Sequence, residues 1–575
     1  MDPIARRTIP LRAEPAPRRP RATPKGRQVT PQARDRVQAL CADLPERRDL
    51  LIEHLHRLND AEGVLRHGHL AALAERLRLS QVEVFEVASF YHHFTVVDDE
   101  AELPATVVRV CTSLSCTMAG GESLLADLQG QLVGQARVEA APCMGLCHAA
   151  PAASVGQRQV PQASAESVRG LLARGETGPR PLPAPVPRDM AQLRRLLSGE
   201  LSADAVLAEL KASALRGLGG AGFPAWRKWE TVRAQPGPRH LVVNIDEGEV
   251  GTFKDWAVLT DPQAGALQML EGALIAAQVV GADRVWLYLR DEYHDARQHL
   301  AQALGMARET LATLQQTFPH FQAPAIELRR GAGAYICGEE SALIESIEGK
   351  RGLPRLKPPI VALHGVFDQP TLAHNLESLW WVPVVLARGG AWLAAQGRRG
   401  RSGLRRFSVS GRVRRPGVYL APAGITLNEL VHEHAGGLPE GHSLYAYLPG
   451  GASGGILPAS LADVPLDFDT LAEHGCFVGS MAVVVLSQHD RARDAALNLM
   501  RFFEHESCGQ CTPCRAGTAR AVQLLQAPVW DAPLLGELSQ VMRDASICGL
   551  GQAAPNPVDS VLRFFPHEVT EGGAA

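Results

Sequence analysis

The stretch R-G-L-G-G-A-G-F-P-A-W-R-K-W, from Arg216 to Trp229, decides how this chain is read, together with N-I-D-E-G-E-V-G-T-F-K-D-W from Asn244 to Trp256. Gly217, Gly219, Gly220 and Gly222 crowd ahead of Lys228, which stands between Trp226 and Trp229. Glycines at that density let a backbone approach a ligand closely and turn its N–H groups toward phosphate. Lys228 adds a cation, while Asp246, Glu247 and Glu249 add acceptors. A site for phosphate alone has little use for three acids. The pattern therefore predicts a ligand with phosphate at one end and hydrogen-bond donors at the other, a description that flavin mononucleotide (FMN) meets. The spacing is not that of the dinucleotide fingerprint G-x-G-x-x-G. A glycine-rich turn between helices is the other reading of these residues. Between the two halves, His240–Asn244 reads as a short buried strand.

Downstream the pattern alternates. Residues 262–281 and 292–317 are helical in pattern, and R-V-W-L-Y-L-R (284–290) and A-I-E-L-R-R (325–330) are strands. Such alternation predicts α/β layering with a parallel sheet. The last strand runs into Gly331-Ala-Gly-Ala-Tyr-Ile-Cys-Gly-Glu-Glu340, a second strand–glycine-loop–helix unit. The rigid basic segment from Gly352 to Pro359 can border the same pocket. Upstream, the Pro-rich run from Glu176 to Pro187 reads as a semi-extended linker and a domain boundary.

Of the 11 cysteines, Cys41, Cys337 and Cys476 are scattered and the others form two tight sets. Close spacing in a large chain without a secretory signal favours metal over disulfides. The first set is Cys111-x4-Cys116, 26 intervening residues, then Cys143-x3-Cys147. Structural zinc prefers C-x2-C knuckles, and these wider loops suit a flatter two-iron cluster, with zinc or a disulfide pair as alternatives. The second set is Cys508-x2-Cys511-x2-Cys514, with Cys548 33 intervening residues later. Three cysteines that curl around one corner of a cube, closed by a remote fourth, are the arrangement of a [4Fe–4S] cluster.

At 575 residues the chain should hold three or more domains. A net charge of -3 argues against nucleic acid as a partner. No run approaches the length of an apolar membrane span, and the start lacks a secretory h-region, so cytoplasm is the expected location. The first residues, rich in Pro and Arg, should be disordered alone. Residues 31–95 are helical in pattern, with Ser80 and Glu83 forming a capping box. His92 and His93 read as surface or core residues rather than ligands. From about 403 to 490 the period shortens to two, as expected of a small β module with one helix near Thr426–His434.

These motifs, with the C-terminal run N-L-M-R-F-F-E-H-E-S-C-G-Q-C-T-P-C-R, resemble the NADH-oxidising flavoprotein module of complex I. NAD-reducing hydrogenases and NAD-dependent, metal-containing formate dehydrogenases share that module. The resemblance implies a multidomain α/β protein. It divides the chain into a disordered basic tail (1–30), a helical bundle (31–100), a thioredoxin-like [2Fe–2S] domain (101–175) and a linker (176–190). A Rossmann-like FMN/NAD domain (191–400), a β-grasp-like domain of soluble-ligand-binding type (401–490) and a helical [4Fe–4S] domain (491–575) follow. Gly217, Gly219 and Lys228 are implied at the FMN phosphate side and ribityl chain, and Asn375 at the phosphate. Asn244, Asp246 and Glu247 are implied at flavin polar atoms. Glu249, Glu340, Phe223 and Lys357 would face the nicotinamide nucleotide, and Tyr335, Gly338 and Glu339 would line the floor.

The fused order best matches the β subunit of a formate dehydrogenase, a diaphorase that takes electrons from a molybdopterin- or tungstopterin-containing α subunit. The implied route runs by way of [4Fe–4S] and FMN to NAD as substrate, with no side chain needed as acid or base at the hydride step. The flavoprotein of a hydrogenase or of complex I is the alternative, and a zinc-binding scaffold is the alternative of another class. Trp226 replaces a usual glycine, Ile360 a usual aromatic, His374 a usual asparagine and Val250 a usual proline. Loss of a stacked ring at Ile360 is expected to cost about 1 kcal/mol of nucleotide affinity, with Trp226 compensating.

Overall fold

The computed structural model describes residues 26–570. The tail expected to be disordered lies outside the described residues as far as position 25. The centre is a four-stranded sheet of β1 (His240–Ile245), β2 (Arg284–Leu289), β3 (Ala325–Arg330) and β4 (Thr371–Asn375). All its pairings are parallel, in the order β4-β1-β2-β3. The alternation downstream of Asn244 is therefore borne out. β4 was not placed from sequence.

Five helices cover the sheet: α1 (Lys254–Thr260), α2 (Ala266–Val280), α3 (His294–Thr317), α4 (Glu340–Ile347) and α5 (Leu376–Arg388). Alternate side chains settle which face each helix takes. Leu241, Val243, Ile245, Val285, Leu287 and Leu289 share a core with α2, α3 and α5. Val242, Trp286, Tyr288 and Ala373 point the other way, into a core with Leu343 and Ile344 of α4 and the N-terminal helices. Burial on both faces is why β1 reads as a continuous apolar run. Helix α2 is buried nearly all round. A Cβ at its Gly272 would run into the carbonyl oxygen of Leu379, so α2 and α5 pack backbone to backbone there.

Before the sheet come four helices, Pro31–Cys41, Leu51–Glu62, His67–Leu77 and Gln81–Phe90. The Ser80–Glu83 capping box is present. Next is a second four-stranded sheet, in which Val107–Cys111 lies between Arg137–Ala141 (parallel) and Ala153–Val155 (antiparallel), with Arg158–Val160 at the edge. Residues 176–190 carry no helix or strand. Beyond α5 a five-stranded mixed sheet has Leu404–Gly411 and Ala482–Ser487 as parallel neighbours near its middle. The helix expected near Thr426–His434 begins on a Thr426 capping box and loosens into a π-turn. The chain ends in α6 (Ala492–Glu506), Thr512–Leu525, Ala532–Ala545 and Asn556–Phe564. Among the described residues no helix is long and apolar enough to cross a membrane.

Candidate functional site

From β1 the chain moves to β2 on one side and later returns to β4 on the other. In open parallel sheets such a switch point opens a crevice beyond the carboxyl ends of the strands, where ligands bind. Asn244 and Asn375 are register partners at those ends of β1 and β4. The glycine loop arches over the same place. Gly222 has φ +63°, and a Cβ there would meet the Phe468 ring at 2.6 Å. A Cβ on Gly219 would sit 3.1 Å from the Asn375 Cβ. Lys228, on the helix Ala225–Arg233, places its Nζ 3.2 Å from the Ala373 carbonyl and 3.5 Å from Glu340.

The Asn244 amide donates to the Gly338 carbonyl (2.9 Å), and its Oδ1 accepts from the Asp246 amide (2.9 Å). The Asp246 carboxyl lines a small cavity with Gly248, Arg290 and Tyr335. Burial pushes it well above the usual carboxylate range. Across the crevice Glu249 accepts from the Ser453 amide (2.8 Å), the Ser453 hydroxyl (2.9 Å) and the Tyr335 hydroxyl. Lys357 reaches Glu339 (2.8 Å) and Glu340 (3.0 Å), while Glu339 caps α4 through the Ser341 and Ala342 amides. The Gly217 amide donates to the Phe223 carbonyl (2.8 Å), and the Phe223 side chain is 46% exposed. The sites expected of Gly217, Gly219, Phe223, Lys228, Asn244, Asp246, Glu249, Tyr335, Gly338, Glu339, Glu340 and Lys357 therefore lie around one crevice.

Two residues expected to touch the flavin direct their polar atoms elsewhere. The Glu247 carboxylate takes the amides of Asp255 (2.8 Å) and Trp256 (3.1 Å) at the start of α1, and the Tyr293 hydroxyl (2.8 Å). Burial and the neighbouring Asp255 push it up to about 8. The Asn375 side chain caps α5 through the Glu377 amide (3.0 Å) and donates to Asp255 (2.5 Å). Beneath both, buried Lys254 pairs with Asp255 (2.8 Å) and Glu377 (3.2 Å). These groups are the frame under the crevice. Lone buried charges would be far more costly than this closed set.

Cys508 follows α6, Cys511 precedes the helix Thr512–Leu525, Cys514 is in its first turn, and Cys548 precedes Gly549–Ala553. All four line one cavity with Ile336, Pro354, Ile547 and Leu550. Burial pushes the Cys514 thiol up to about 12 and Cys548 up to about 11, so without a metal these two thiols stay protonated at neutral pH. A metal cluster stabilises the thiolates that burial disfavours. Four soft donors around an apolar cavity fit [4Fe–4S].

In the first set Cys111 ends its strand, Cys116 lies in the short helix Leu114–Met118, and the Sγ atoms of Cys143 and Cys147 are 3.2 Å apart. All four are buried, and the contact with Cys143 together with burial holds the Cys147 thiol well above its ordinary range. The set fits [2Fe–2S].

Three participants escaped the sequence reading. Arg290 donates to the Cys143 carbonyl (2.7 Å), to Glu292 (3.0 Å) and to the Glu247 carbonyl. Tyr293 packs so closely under the first cysteine loop that a Cβ at Gly145 would run into its ring. Ser453 comes from P-G-G-A-S-G-G (449–455), which read only as a strand-to-strand turn. The signal was there, since glycine crowds that loop as it does the flavin loop. The unusual residues also find places. Buried His374 accepts the Trp229 indole N–H (2.9 Å). The Trp226 ring lies under Lys211 (4.9 Å) and Arg227 (5.3 Å), and Ile360 is 44% exposed. His93 pairs with Asp291 (2.7 Å), and His92 stacks on His505.

Family models match in the same order as these structures. A thioredoxin-like [2Fe-2S] ferredoxin covers residues 37–176, and the Nuo51 FMN-binding domain covers 210–384. An SLBB domain covers 406–457, and the NADH-ubiquinone oxidoreductase-F iron-sulfur binding region covers 494–572. The F 2 subunit of NADH-quinone oxidoreductase from Rhizobium meliloti (strain 1021) is 39% identical over 388 residues, 65% of this chain and 90% of that protein. The chain belongs to the complex I 51 kDa NADH-binding flavoprotein family.

The mitochondrial NADH dehydrogenase [ubiquinone] flavoprotein 1 of Dictyostelium discoideum is likewise 39% identical, over 64% of this chain and 78% of its own. The crystal structure of an NAD+-reducing [NiFe]-hydrogenase in the H2-reduced state superposes with a TM-score of 0.79 at 32% identity, covering 91% of this chain and 92% of that one. This flavoprotein is an NAD(H)-dependent oxidoreductase whose cofactors are FMN, [2Fe–2S] and [4Fe–4S], with NAD as substrate. The fit is visible in the chain itself. Among the described residues none donates a hydrogen bond to the buried Asp246 carboxyl, which stands with Gly248 and Tyr335 around one cavity.

Proposed function

We propose that this flavoprotein is the diaphorase subunit of an NAD-dependent formate dehydrogenase, reversibly reducing NAD+ with electrons from a molybdopterin- or tungstopterin-containing partner. The observation that carries the reading is the complete, buried cysteine quartet Cys111, Cys116, Cys143 and Cys147 on the same chain as the flavin crevice. The hydrogenase branch often has a degenerate set there. FMN, when bound, exchanges two electrons with the nicotinamide and one at a time with iron–sulfur centres.

The chain's own residues bind and orient. Gly217, Gly219 and Lys228 hold the phosphate side, and Asn244 and Asp246 meet flavin polar atoms. Glu249, Glu340, Phe223 and Lys357 face the nucleotide over a floor of Tyr335, Gly338 and Glu339. Glu247 and Asn375 act through the frame. Cys508, Cys511, Cys514 and Cys548 hold [4Fe–4S], and the first quartet holds [2Fe–2S].

The near full-length superposition on the NAD+-reducing [NiFe]-hydrogenase chain favours a second reading, a hydrogenase diaphorase. Purification of the native complex separates the two. A pterin-bearing large subunit with formate-dependent NAD+ reduction supports the proposal. A nickel–iron subunit with H2-dependent NAD+ reduction overturns it.

A further inference from the structure

Arg290 follows the last residue of β2 and is 5% exposed. Its guanidinium is spread over three partners from separate parts of the chain. One nitrogen donates to the carbonyl of Cys143 (2.7 Å), another to the carbonyl of Glu247, and the third to Glu292 (3.0 Å). One side chain therefore fastens the loop of the first cysteine set to the floor of the flavin crevice. Tyr293 reinforces the joint. Its ring lies beside the guanidinium (5.1 Å) and under Gly145, and its hydroxyl donates to Glu247 (2.8 Å).

A planar fork with five N–H donors serves three acceptors in fixed directions, and an ammonium cannot do the same. The charge matters as much as the shape. Reduction of an iron–sulfur cluster adds one negative charge, and cluster potentials follow local charge and hydrogen bonding. A cation shielded from water interacts with that charge far more strongly than one in solvent. Glu292 is the carboxylate in direct contact that offsets it.

We propose that Arg290 is the positioning residue that couples the [2Fe–2S] cluster to the flavin site, holding the Cys143 loop in register and raising the cluster's reduction potential through its buried charge. This rests on the assignment of Cys111, Cys116, Cys143 and Cys147 as cluster ligands.

The test is a redox titration of the full-length holoprotein, with the [2Fe–2S] signal followed by electron paramagnetic resonance and iron measured in each preparation. Arg290→Gln should lower the [2Fe–2S] midpoint by at least a tenfold change in the one-electron equilibrium, about 59 mV. Arg290→Lys keeps the charge and loses the fork, so it should recover only part of that shift. Glu292→Gln leaves Arg290 in place and removes its counter-charge, so it should move the midpoint upward. The [4Fe–4S] midpoint should move less in every variant.

An unchanged or raised [2Fe–2S] midpoint in Arg290→Gln with iron retained overturns the proposal. Should that variant lose iron, Glu292→Gln decides, and a midpoint that fails to rise overturns it. A wild-type protein with no [2Fe–2S] signal would instead overturn the ligand assignment, a separate failure.

Discussion

His374 shows how a single residue ties sequence to environment. It sits inside β4, 4% exposed, and accepts the Trp229 indole N–H, which requires a neutral ring. Burial, with the charge of Lys228 adding to it, lowers its pKa to about 3. An unfolded chain keeps the ordinary value near 6.5. Between those values the unfolded chain binds the extra proton, so this residue's contribution is complete above about pH 6.5 and is lost as pH falls toward 3. At pH 5 the loss should be about 2 kcal/mol. His374→Asn should flatten that slope, read as a smaller drop in thermal midpoint between pH 7.5 and pH 5 than in the wild type. The histidine was visible in the sequence as a departure from its relatives. Its reason was not, because it depends on the register that brings Trp229 beneath β4.

Gly222 argues the converse. Its left-handed φ of +63° and the Phe468 ring, which would lie 2.6 Å from an added methyl group, are both hostile to alanine. Gly222→Ala should therefore displace the glycine loop and lower FMN retention severalfold, read as flavin absorbance per chain after gel filtration, with iron content kept. A variant that holds its flavin normally would show that the loop tolerates the shift.

Among the elements, the α/β alternation was legible because each strand and helix from β1 to β3 carries its own period. β4 is five residues long, follows Pro370, and ends in His374 and Asn375. With both faces covered it shows no alternation, and nothing local announces it. Yet it forms one wall of the crevice. Helix packing is similar: α2 reads as an apolar helix, but its contact with the backbone of α5 appears only in three dimensions. Gly272→Ala should push the two helices apart and cost about 1–3 kcal/mol or more. Calorimetry on the holoprotein would register this as a lowered midpoint. An unaffected midpoint would mean that α5 can slide without loss.

Over the whole molecule, cysteine spacing made both cluster sites legible, since their ligands fall into two close pairs in the first set and a close triplet with a remote Cys548 in the second. The glycine loop at 449–455 was not, because it meets Glu249 only once the five-stranded sheet is seated beside the crevice. The two cluster sites should also be separable. Cys143→Ser should remove the [2Fe–2S] signal and leave [4Fe–4S] and flavin in place. Cys514→Ser should do the reverse and also lower the thermal midpoint, because ligands bound to the native state stabilise it by mass action. Iron analysis with paramagnetic resonance on the two variants checks both. Loss of both clusters in either variant would mean that the sites assemble as one.

The pairing of Asn244 with Asn375 at the mouth of the crevice sets an order of events during synthesis. A nascent chain that has emerged as far as β3 owns the glycine loop, the lysine and the acids, but has no second wall to close on a flavin. The pocket becomes a pocket only when β4 threads in beside β1, and Glu249 finds Ser453 later still. Domains generally fold as their sequence leaves the ribosome. Closure of the flavin pocket therefore waits for β4, which ends at Asn375 of 575 residues, and the seating of Glu249 waits for Ser453, so a chain cut short before β4 has every residue of the loop and no pocket.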